Sequence, residues 1–216
     1  MDSSFKFFAE LFITYRMLIL GGASMVKRCP WATKSPELLV YHDTIWGRPQ
    51  HDPQELFKAL CLEIMQAGLT FSTVLKFEEG MDTVFHDFSP DYLAKCDESD
   101  VERFCNDKRI IRNHSKVEAI IQNAKIIQPD PQMLVTATWN PVNNVQLDHL
   151  LTESPKPENY KNFVKKFVKK FKQMGLKRVG PITVYSYLQA VGVVNDHLIT
   201  CEFHEGLSGL NEKKSS

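Results

Sequence analysis

The sequence predicts an all-α fold, because apolar residues recur at spacings of three and four along most of the chain from Lys27 onward. Few segments alternate apolar and polar residues as a strand does. The 216 residues, 43% of them hydrophobic and 24% charged, suffice for a sizeable core and are typical of a globular protein. The breaker clusters at 129–131 and 154–160 are too short to link domains, so we expect a single domain.

Residues 1–24 differ from the rest, being rich in phenylalanine and ending in a Gly-Gly-Ala-Ser break. Lys6, Glu10 and Arg16 interrupt their apolar runs, which disfavours a secretory signal or a membrane span. This extension fits either an amphipathic helix packed on the domain or an upstream extension of the reading frame. Five cysteines without framework spacing favour a reducing compartment over a disulfide scaffold, so we expect a cytoplasmic protein.

The strongest helix signal is DPQELFKALCLEIMQAG, in which Asp52 caps the start, Pro53 occupies the first turn and Gly68 ends the helix. Apolar residues at four-residue spacing give this helix one buried face. Further helices are predicted at 72–86, 90–96, 98–106, 112–127, 158–174 and 182–192.

Positive charge is concentrated in one predicted helix, although the formal net charge of the chain is zero. Phe163, Phe167 and Phe171 recur every four residues in this run and predict a core-facing stripe with the lysines outside. A solvated helix face and a surface that binds DNA phosphates are both open interpretations. Eight basic residues and no acidic one occur between 161 and 180: Lys161, Lys165, Lys166, Lys169, Lys170, Lys172, Lys177 and Arg178.

A glycine-proline turn follows the basic helix and precedes a helix rich in tyrosine, an order that resembles a helix-hairpin-helix element. In such an element a bare glycine backbone and a helix N-terminus approach a DNA phosphate and bind it without reading sequence. Turns of this composition are also common without that role. The candidate DNA-binding residues are Lys177, Arg178, Gly180 and Thr183.

Two cysteines and two histidines near the chain ends have the types and spacing of a zinc site: Cys29, His42, His197 and Cys201. Thiolate and imidazole ligands suit tetrahedral Zn²⁺, and four protein ligands leave no position for a substrate, so such a site is structural. A metal bound by both pairs would join the N- and C-terminal segments and make metal binding part of folding. The alternative is buried apolar cysteines and satisfied histidines.

Several motifs occur together in one order, and with them the chain resembles the DNA-3-methyladenine glycosylase I family over about residues 25 to 205. The resemblance implies an all-helical helix-hairpin-helix fold whose structural zinc binds the four residues named above. It also implies a glycosylase domain at 25–205 with a C-terminal tail at 206–216. The motifs are CPW at 29–31, YHDTIWG at 41–47, CLEIMQAGLTFSTVL at 61–75, DVERFCNDKRIIRNHSKVEAIIQNA at 100–124 and RVGPITVYSYLQAVGVVNDH at 178–197.

The resemblance implies hydrolysis of the N-glycosidic bond of 3-methyladenine in alkylated DNA, a step of base-excision repair that requires base flipping. By its sequence context Glu63 would be a surface helix residue, whereas it matches the family's pocket glutamate, which recognises the base. Tyr41, Trp46 and Phe71 are the candidate stacking rings.

The sequence departs from the family pattern at several of these positions. Phe71 stands where the family usually has tryptophan, and Ile64 and Met65 replace a small residue and a glutamine, which predicts a narrower pocket. Leu38 and Ile45 replace the usual tyrosine and glutamate. A relaxed, altered or weakened activity is therefore a further expectation.

Asp196 is a candidate catalytic residue, since many helix-hairpin-helix glycosylases have an aspartate near this position that stabilises the sugar cation or activates water. The 3-methyladenine branch usually dispenses with it. The alternative is a cap, or a hydrogen bond to the neighbouring zinc ligand His197. Asn113 and His114 are weaker candidates for loop residues that line the DNA groove.

The sequence thus favours a monomeric, monofunctional glycosylase that uses water rather than a Schiff base and acts on alkylated double-stranded DNA without a membrane partner. Its expected cofactor is structural Zn²⁺. One alternative is a non-catalytic, zinc-stabilised DNA-binding module with an altered base pocket. Another is a helical interaction protein whose lysines are merely exposed.

Overall fold

A computed structural model describes residues 26–208, with the side chains of 157–158 and 206–208 left out. The predicted extension at residues 1–24 and all but the first three residues of the predicted tail lie outside the described residues. No helix within the described range is both long enough and apolar enough to cross a bilayer.

The described chain is mainly helical, with one short pair of parallel strands. Short 3₁₀ turns occur at Ala32–Lys34, Asn140–Val142 and Pro157–Tyr160. The strands are β1 (Leu147–Asp148) and β2 (Val194–Asn195). The α-helices in chain order are α1 (Pro36–Thr44), α2 (Pro53–Gln66), α3 (Phe71–Phe85), α4 (Pro90–Leu93), α5 (Glu98–Asn106), α6 (His114–Ile127), α7 (Gln132–Trp139), α8 (Lys161–Gln173), α9 (Pro181–Ala190) and α10 (Glu202–Ser208).

The helical prediction is confirmed most closely at α2. The Asp52 carboxylate accepts hydrogen bonds from the backbone N–H groups of Gln54 and Glu55, and Pro53 is the first helical residue. Gly68 follows the end of the helix with φ +81°, a conformation that costs glycine little. Helix α5 has the predicted bounds, and α3, α4, α6, α8 and α9 overlap the predicted segments with ends that differ by at most three residues.

Helices α1, α7 and α10 and the strand pair were not predicted. Helix α1 begins with a clear signal, since Ser35 caps it through the Leu38 N–H and Pro36 is its first residue, but it is only nine residues long. The strands are two residues each, too short to produce an alternating pattern. Their register places Leu147 beside Val194, and the adjoining segments continue side by side to a bridge between Leu151 and Leu198.

Helix α2 lies at the centre of the main hydrophobic core and packs against α3, α6, α7 and α9. Both sides of its C-terminal half are buried, because neighbours cover it all round. A polar side chain in that half must therefore find an internal partner or face a cavity. Glu63 is such a residue, with 5% of its surface exposed.

The basic helix α8 has the predicted two-sided character. Phe167 and Phe171 are fully buried in the core and Phe163 is half-buried against it. The six lysines of α8 are all exposed. Helix α8 packs against α9, so the basic face lies next to the turn that joins them.

A separate small apolar cluster brings the first described residues against the last. It contains Cys29, Tyr41, Trp46, Leu198 and Cys201. The backbone at residue 192 passes close to the backbone at Arg48. Only glycine fits at residue 192, which has φ +70°, because a Cβ there would lie 2.3 Å from the Arg48 carbonyl carbon. The Gln146 amide, buried beside this contact, donates to the carbonyls of Gly47 and Gly192 and holds them together.

Candidate functional site

The four predicted metal ligands lie together and are all buried. One ligand atom from each of Cys29, His42, His197 and Cys201 lies within 4.8 Å of all the others. Cys201 Sγ lies 3.5 Å from His42 Nε2 and 3.5 Å from His197 Nδ1, and Cys29 Sγ lies 3.8 Å from His197 Nδ1. Two sulfurs and two imidazole nitrogens in this arrangement form a donor set that could hold a tetrahedral metal ion.

The remaining nitrogen of each histidine has an acceptor, which fixes the ring for metal binding. His42 Nδ1 lies 2.7 Å from the Asp43 carboxylate, and His197 Nε2 lies 3.3 Å from the Trp46 carbonyl oxygen. Such contacts select the tautomer with an unprotonated nitrogen on the metal side. Hydrogen bonds from Cys29 and then from the imidazoles lower the pKa of the Cys201 thiol and favour the thiolate that binds metal. The residues therefore fit Zn²⁺.

A cavity of about 370 Å³ adjoins this group. Cys29 and Leu198 line it on the metal side, so the metal group forms part of the cavity wall. The predicted base-pocket residues and the predicted catalytic aspartate all line this one cavity: Tyr41, Trp46, Glu63, Phe71 and Asp196. The sequence distributes these residues over α1, α2, α3 and the segment after β2, and the fold brings them together.

Glu63 contributes a buried carboxyl group to the cavity. Its Oε2 atom has no hydrogen-bond partner among the described residues. Burial raises the pKa of Glu63 from 4.5 to about 8, because no charge or donor there compensates for lost hydration. An unpaired buried oxygen is costly for a folded chain, so this position has the properties of a ligand-binding group.

Aromatic rings surround the carboxyl group. The rings of Tyr41 and Phe71 lie with centroids 4.8 Å apart, and burial, followed by the charge of Glu63, raises the pKa of Tyr41 well above its usual value. Trp46 connects the cavity to the metal group, since its ring centroid lies 4.6 Å from that of His197. Flat apolar faces beside an acid are suited to a planar cation.

The residues that depart from the family pattern lie in different parts of the structure. Leu38 lines the cavity, whereas Ile45 is 42% exposed. Ile64 and Met65 are fully buried in the main core and are not part of the cavity lining. The expectation that they narrow the pocket is therefore wrong, because α2 directs Glu63 and Gln66 towards the cavity and these two side chains into the core.

Asp196 is held by three polar side chains. Its carboxylate accepts hydrogen bonds from Gln189 Nε2 at 2.7 Å and from the Tyr185 hydroxyl, and it lies 2.6 Å from His149 Nδ1. Tyr160 stacks on both His149 and Tyr185, with centroids 5.0 and 4.6 Å apart. The expected hydrogen bond to His197 is wrong, since the parallel strands direct Asp196 towards His149.

The predicted DNA-binding residues cluster at the start of α9. Gly180 is the residue before α9, Lys177 and Arg178 are exposed, and Thr183 is half-buried in the first turn. The Arg178 guanidinium donates to the Ser115 carbonyl oxygen at 3.1 Å. Asn113 caps α6, and His114 Nε2 lies 3.0 Å from Glu98, so these two residues have local structural partners.

Several polar residues in or near the site were missed from the sequence, among them Lys34, Gln66 and Gln189 in the cavity lining. Lys116 and Asn123 lie on the inward face of α6, and His149 follows β1. A lysine, an asparagine or a histidine alone is no signal, because its burial follows from packing between segments far apart in the chain. The asparagine in an otherwise apolar helical stripe was the one detectable irregularity.

Comparisons with known proteins place the chain in one family. The family model for methyladenine glycosylase matches residues 31–205. DNA-3-methyladenine glycosylase 1 of Escherichia coli (strain K12) is 38% identical over 187 residues, which are 84% of this chain and 98% of that protein.

Solved structures similar to this chain belong to the same family. A crystal structure of 3-methyladenine DNA glycosylase I is similar with a TM-score of 0.74 and 35% identity, over 82% of this chain and 98% of that one. The enzyme of the same name from Staphylococcus aureus, solved to explain 3-methyladenine recognition, has a TM-score of 0.70 and 32% identity, over 83% and 97%. This chain is a member of the methyladenine glycosylase family.

Proposed function

We propose that this protein is a DNA-3-methyladenine glycosylase, which hydrolyses the bond between 3-methyladenine and deoxyribose in alkylated DNA during base-excision repair. The observation that carries the proposal is the unpaired carboxyl oxygen of Glu63, buried in a cavity with Tyr41 and Phe71 in a member of this family. A cavity of about 370 Å³ is within the range of pockets that hold small ligands.

Recognition follows from the charge of the damaged base. Methylation at N3 makes the adenine ring cationic, so an anionic Glu63 favours it over a neutral adenine and accepts hydrogen bonds from its edge. The faces of Tyr41, Trp46 and Phe71 stack on the flipped ring. Since burial disfavours the ionised carboxyl group, a bound cation replaces the missing partner and lowers the pKa of Glu63 again.

The chemical step requires little from the protein, because a cationic base leaves readily. Asp196 lines the cavity, and its carboxylate accepts from Gln189 and Tyr185 and lies beside His149. A carboxylate there stabilises the positive charge that develops on the sugar as the base leaves, and water then attacks. The α8 lysines are not part of the cavity lining, so we assign them to contacts with DNA phosphates and not to a Schiff base.

Zinc is the cofactor that the buried donor set fits. Cys29, His42, His197 and Cys201 would hold it as four protein ligands, so it would stabilise the fold and leave no position for a substrate. The carbonyl oxygen of Trp46 accepts from His197, so the same group would fix one wall of the base pocket.

The connection between α8 and α9 is the proposed hairpin that binds the DNA backbone. Gly180 leaves the backbone accessible, since a Cβ there would meet nothing within 4 Å. The free N–H groups at the start of α9 suit a phosphate, and Lys177, Arg178 and the exposed lysines of α8 add positive charge.

The test is release of free 3-methyladenine from alkylated duplex DNA by the zinc-loaded protein. Wild-type protein is expected to release the base without strand cleavage, and Glu63→Ala is expected to lose most of the release. Release by Glu63→Ala at the wild-type rate would remove Glu63 from recognition. If intact wild-type protein binds duplex DNA but releases no base, the non-catalytic DNA-binding module is the correct function.

A further inference from the structure

Residues 67–70, here named the rim turn, connect two residues that line the cavity. Gln66 before the turn and Phe71 after it both line the cavity, so the turn between them lies at its boundary. A Cβ on Gly68 would meet nothing within 4 Å, and Leu69 is 42% exposed. The rim turn therefore lies beside the cavity and is itself exposed to solvent.

A buried lysine from another helix fixes this turn. Lys116, on the first turn of α6, has 5% of its surface exposed. Its Nζ donates to the Met65 carbonyl oxygen at 2.8 Å and to the Ala67 carbonyl oxygen at 2.6 Å. These carbonyls lie on either side of Gln66 at the C-terminus of α2, where unsatisfied acceptors and the helix dipole favour a cation.

The bonds of Lys116 differ from an ordinary ion pair. Among the described residues no carboxylate lies within ion-pair distance of its ammonium group. Burial, and then the charge of Arg178, lower the pKa of Lys116. A buried cation without an acid is costly, so the two carbonyl oxygens that bind Lys116 are the interactions that offset its burial.

Helix α6 also holds the turn at residues 174–180, here named the grip turn. Asn123 is fully buried, its amide donates to the Lys177 carbonyl oxygen at 3.2 Å, and its side-chain oxygen accepts from the Lys177 N–H at 2.7 Å. Ser115 provides a second link, because the Arg178 guanidinium donates to its carbonyl oxygen and to its hydroxyl. The rim turn and the grip turn are thus both bonded to α6.

We propose that Lys116 is a positioning residue for base excision. It holds the rim turn, and with it Gln66 and Phe71, at a fixed distance and orientation relative to the grip turn. This inference rests on the proposed function. A flipped base must travel from a phosphate backbone held at the grip turn into a pocket bounded by the rim turn. A small displacement between the two turns is expected to lower the rate without removing either binding element.

The experiment compares Lys116→Met with Lys125→Met, a matched variant at an exposed position of the same helix. Three quantities are measured: single-turnover release of 3-methyladenine, affinity for undamaged duplex DNA, and amide hydrogen exchange of residues 66–71. Lys116→Met is expected to slow release by about 10- to 100-fold, a range typical of small errors in positioning. Duplex affinity should change by less than about two-fold, because Lys116 is buried and its ammonium group is bonded to the Met65 and Ala67 carbonyl oxygens instead of facing the solvent.

Hydrogen exchange separates this inference from the proposed function. Faster exchange at residues 66–71 in Lys116→Met, but not in Lys125→Met, supports the positioning role even if the wild-type protein releases no base and the proposed function fails. Unchanged exchange there, or release within about two-fold of the Lys125→Met rate by the folded protein, overturns it.

A comparison of two further variants distinguishes a positioning role from a general loss of stability. Lys116→Arg retains a cation that can donate to both carbonyls, whereas Lys116→Gln is neutral and shorter. Lys116→Arg is expected to release the base at least about five-fold faster than Lys116→Gln, since only it restores both bonds. Equal rates for these two folded variants would assign Lys116 to stability alone.

Discussion

The Sγ atom of Cys201 lies 3.5 Å from Nε2 of His42, although 159 residues separate the two in the sequence. The contact joins the segment before α10 to helix α1. Trp46, which follows α1, accepts from His197 and also lines the base cavity. The contact between these two segments and the shape of the pocket are therefore physically connected.

Removal of one of the four proposed metal ligands should destabilise the folded protein. We expect Cys201→Ala to bind no zinc and to lose at least about 3 kcal/mol of unfolding free energy, since metal binding and folding are coupled in a closed site. Metal content per chain and thermal unfolding with and without a chelator measure the effect. The control is Cys105→Ala, which removes a half-buried thiol outside the metal group. A stable wild-type protein that contains no metal would contradict the prediction.

Local signals made much of the fold predictable. Asp52 and Pro53 define the start of α2, and the phenylalanine spacing of α8 gives its buried face, because each depends on residues within one or two turns. The proximity of Cys29, His42, His197 and Cys201 was expected from the family resemblance, whereas their types and spacing alone left buried apolar cysteines and satisfied histidines as an alternative.

Contacts between distant segments were not predictable. Ile64 and Met65 neighbour Glu63 in sequence but face the core, a difference fixed by how α2 is enclosed rather than by its composition. Asp196 pairs with His149 because two-residue strands align their segments, and such strands leave no periodic signal. The buried Lys116 has the residue type of a surface position.

Glu63→Gln should weaken recognition of the cationic base while preserving the shape of the pocket. The amide has nearly the same volume but no charge, so we expect release of 3-methyladenine to fall by about 10- to 1,000-fold, the range for loss of one electrostatic group. Affinity for undamaged duplex DNA should be unchanged. The measurements are single-turnover release and equilibrium DNA binding.

The matched control is Glu55→Gln, on the exposed face of the same helix. It removes one charge from the protein without altering the cavity, and its release rate should equal that of wild type. Equal losses in the two variants would attribute the effect to overall charge instead of to the pocket.

Stability should depend on pH through Glu63. Burial raises the pKa of Glu63 from 4.5 to about 8, so folding takes up a proton between these values. The free energy of unfolding contributed by this group is then greatest below about pH 4.5 and falls as pH rises, by at most about 1.4 kcal/mol per unit, until about pH 8.

Glu63→Gln removes this titration, so its stability relative to wild type should increase as pH rises from about 5 to about 8. Chemical denaturation of both proteins at several pH values measures the difference. If the difference in unfolding free energy between the two proteins does not change with pH, Glu63 is ionised in the folded state over this whole pH range.

Asp196→Asn should slow the chemical step without weakening base binding. In the proposed mechanism the Asp196 side chain stabilises the sugar cation and does not bind the base, so we expect release to fall by about 10- to 100-fold while affinity for free 3-methyladenine stays within about two-fold. Asp130→Asn, at an exposed loop position, is the control. Because Asp196 precedes His197, metal content must be equal in all proteins compared. A full release rate in Asp196→Asn with intact metal would assign the aspartate to structure.

The exposed face of α8 should contribute to DNA affinity in a salt-dependent way. Replacement of Lys165, Lys169 and Lys172 by glutamine is expected to weaken duplex binding, and to reduce the slope of log affinity against log salt by about 0.9 for each phosphate that the variant no longer neutralises. Thermal stability should be nearly unchanged, because these ammonium groups face solvent. The control replaces Lys95 and Lys108, exposed lysines outside α8 and α9. An unchanged salt slope in the α8 variant would restrict DNA binding to the grip turn, since the charge of α8 would then act only as a solvated surface.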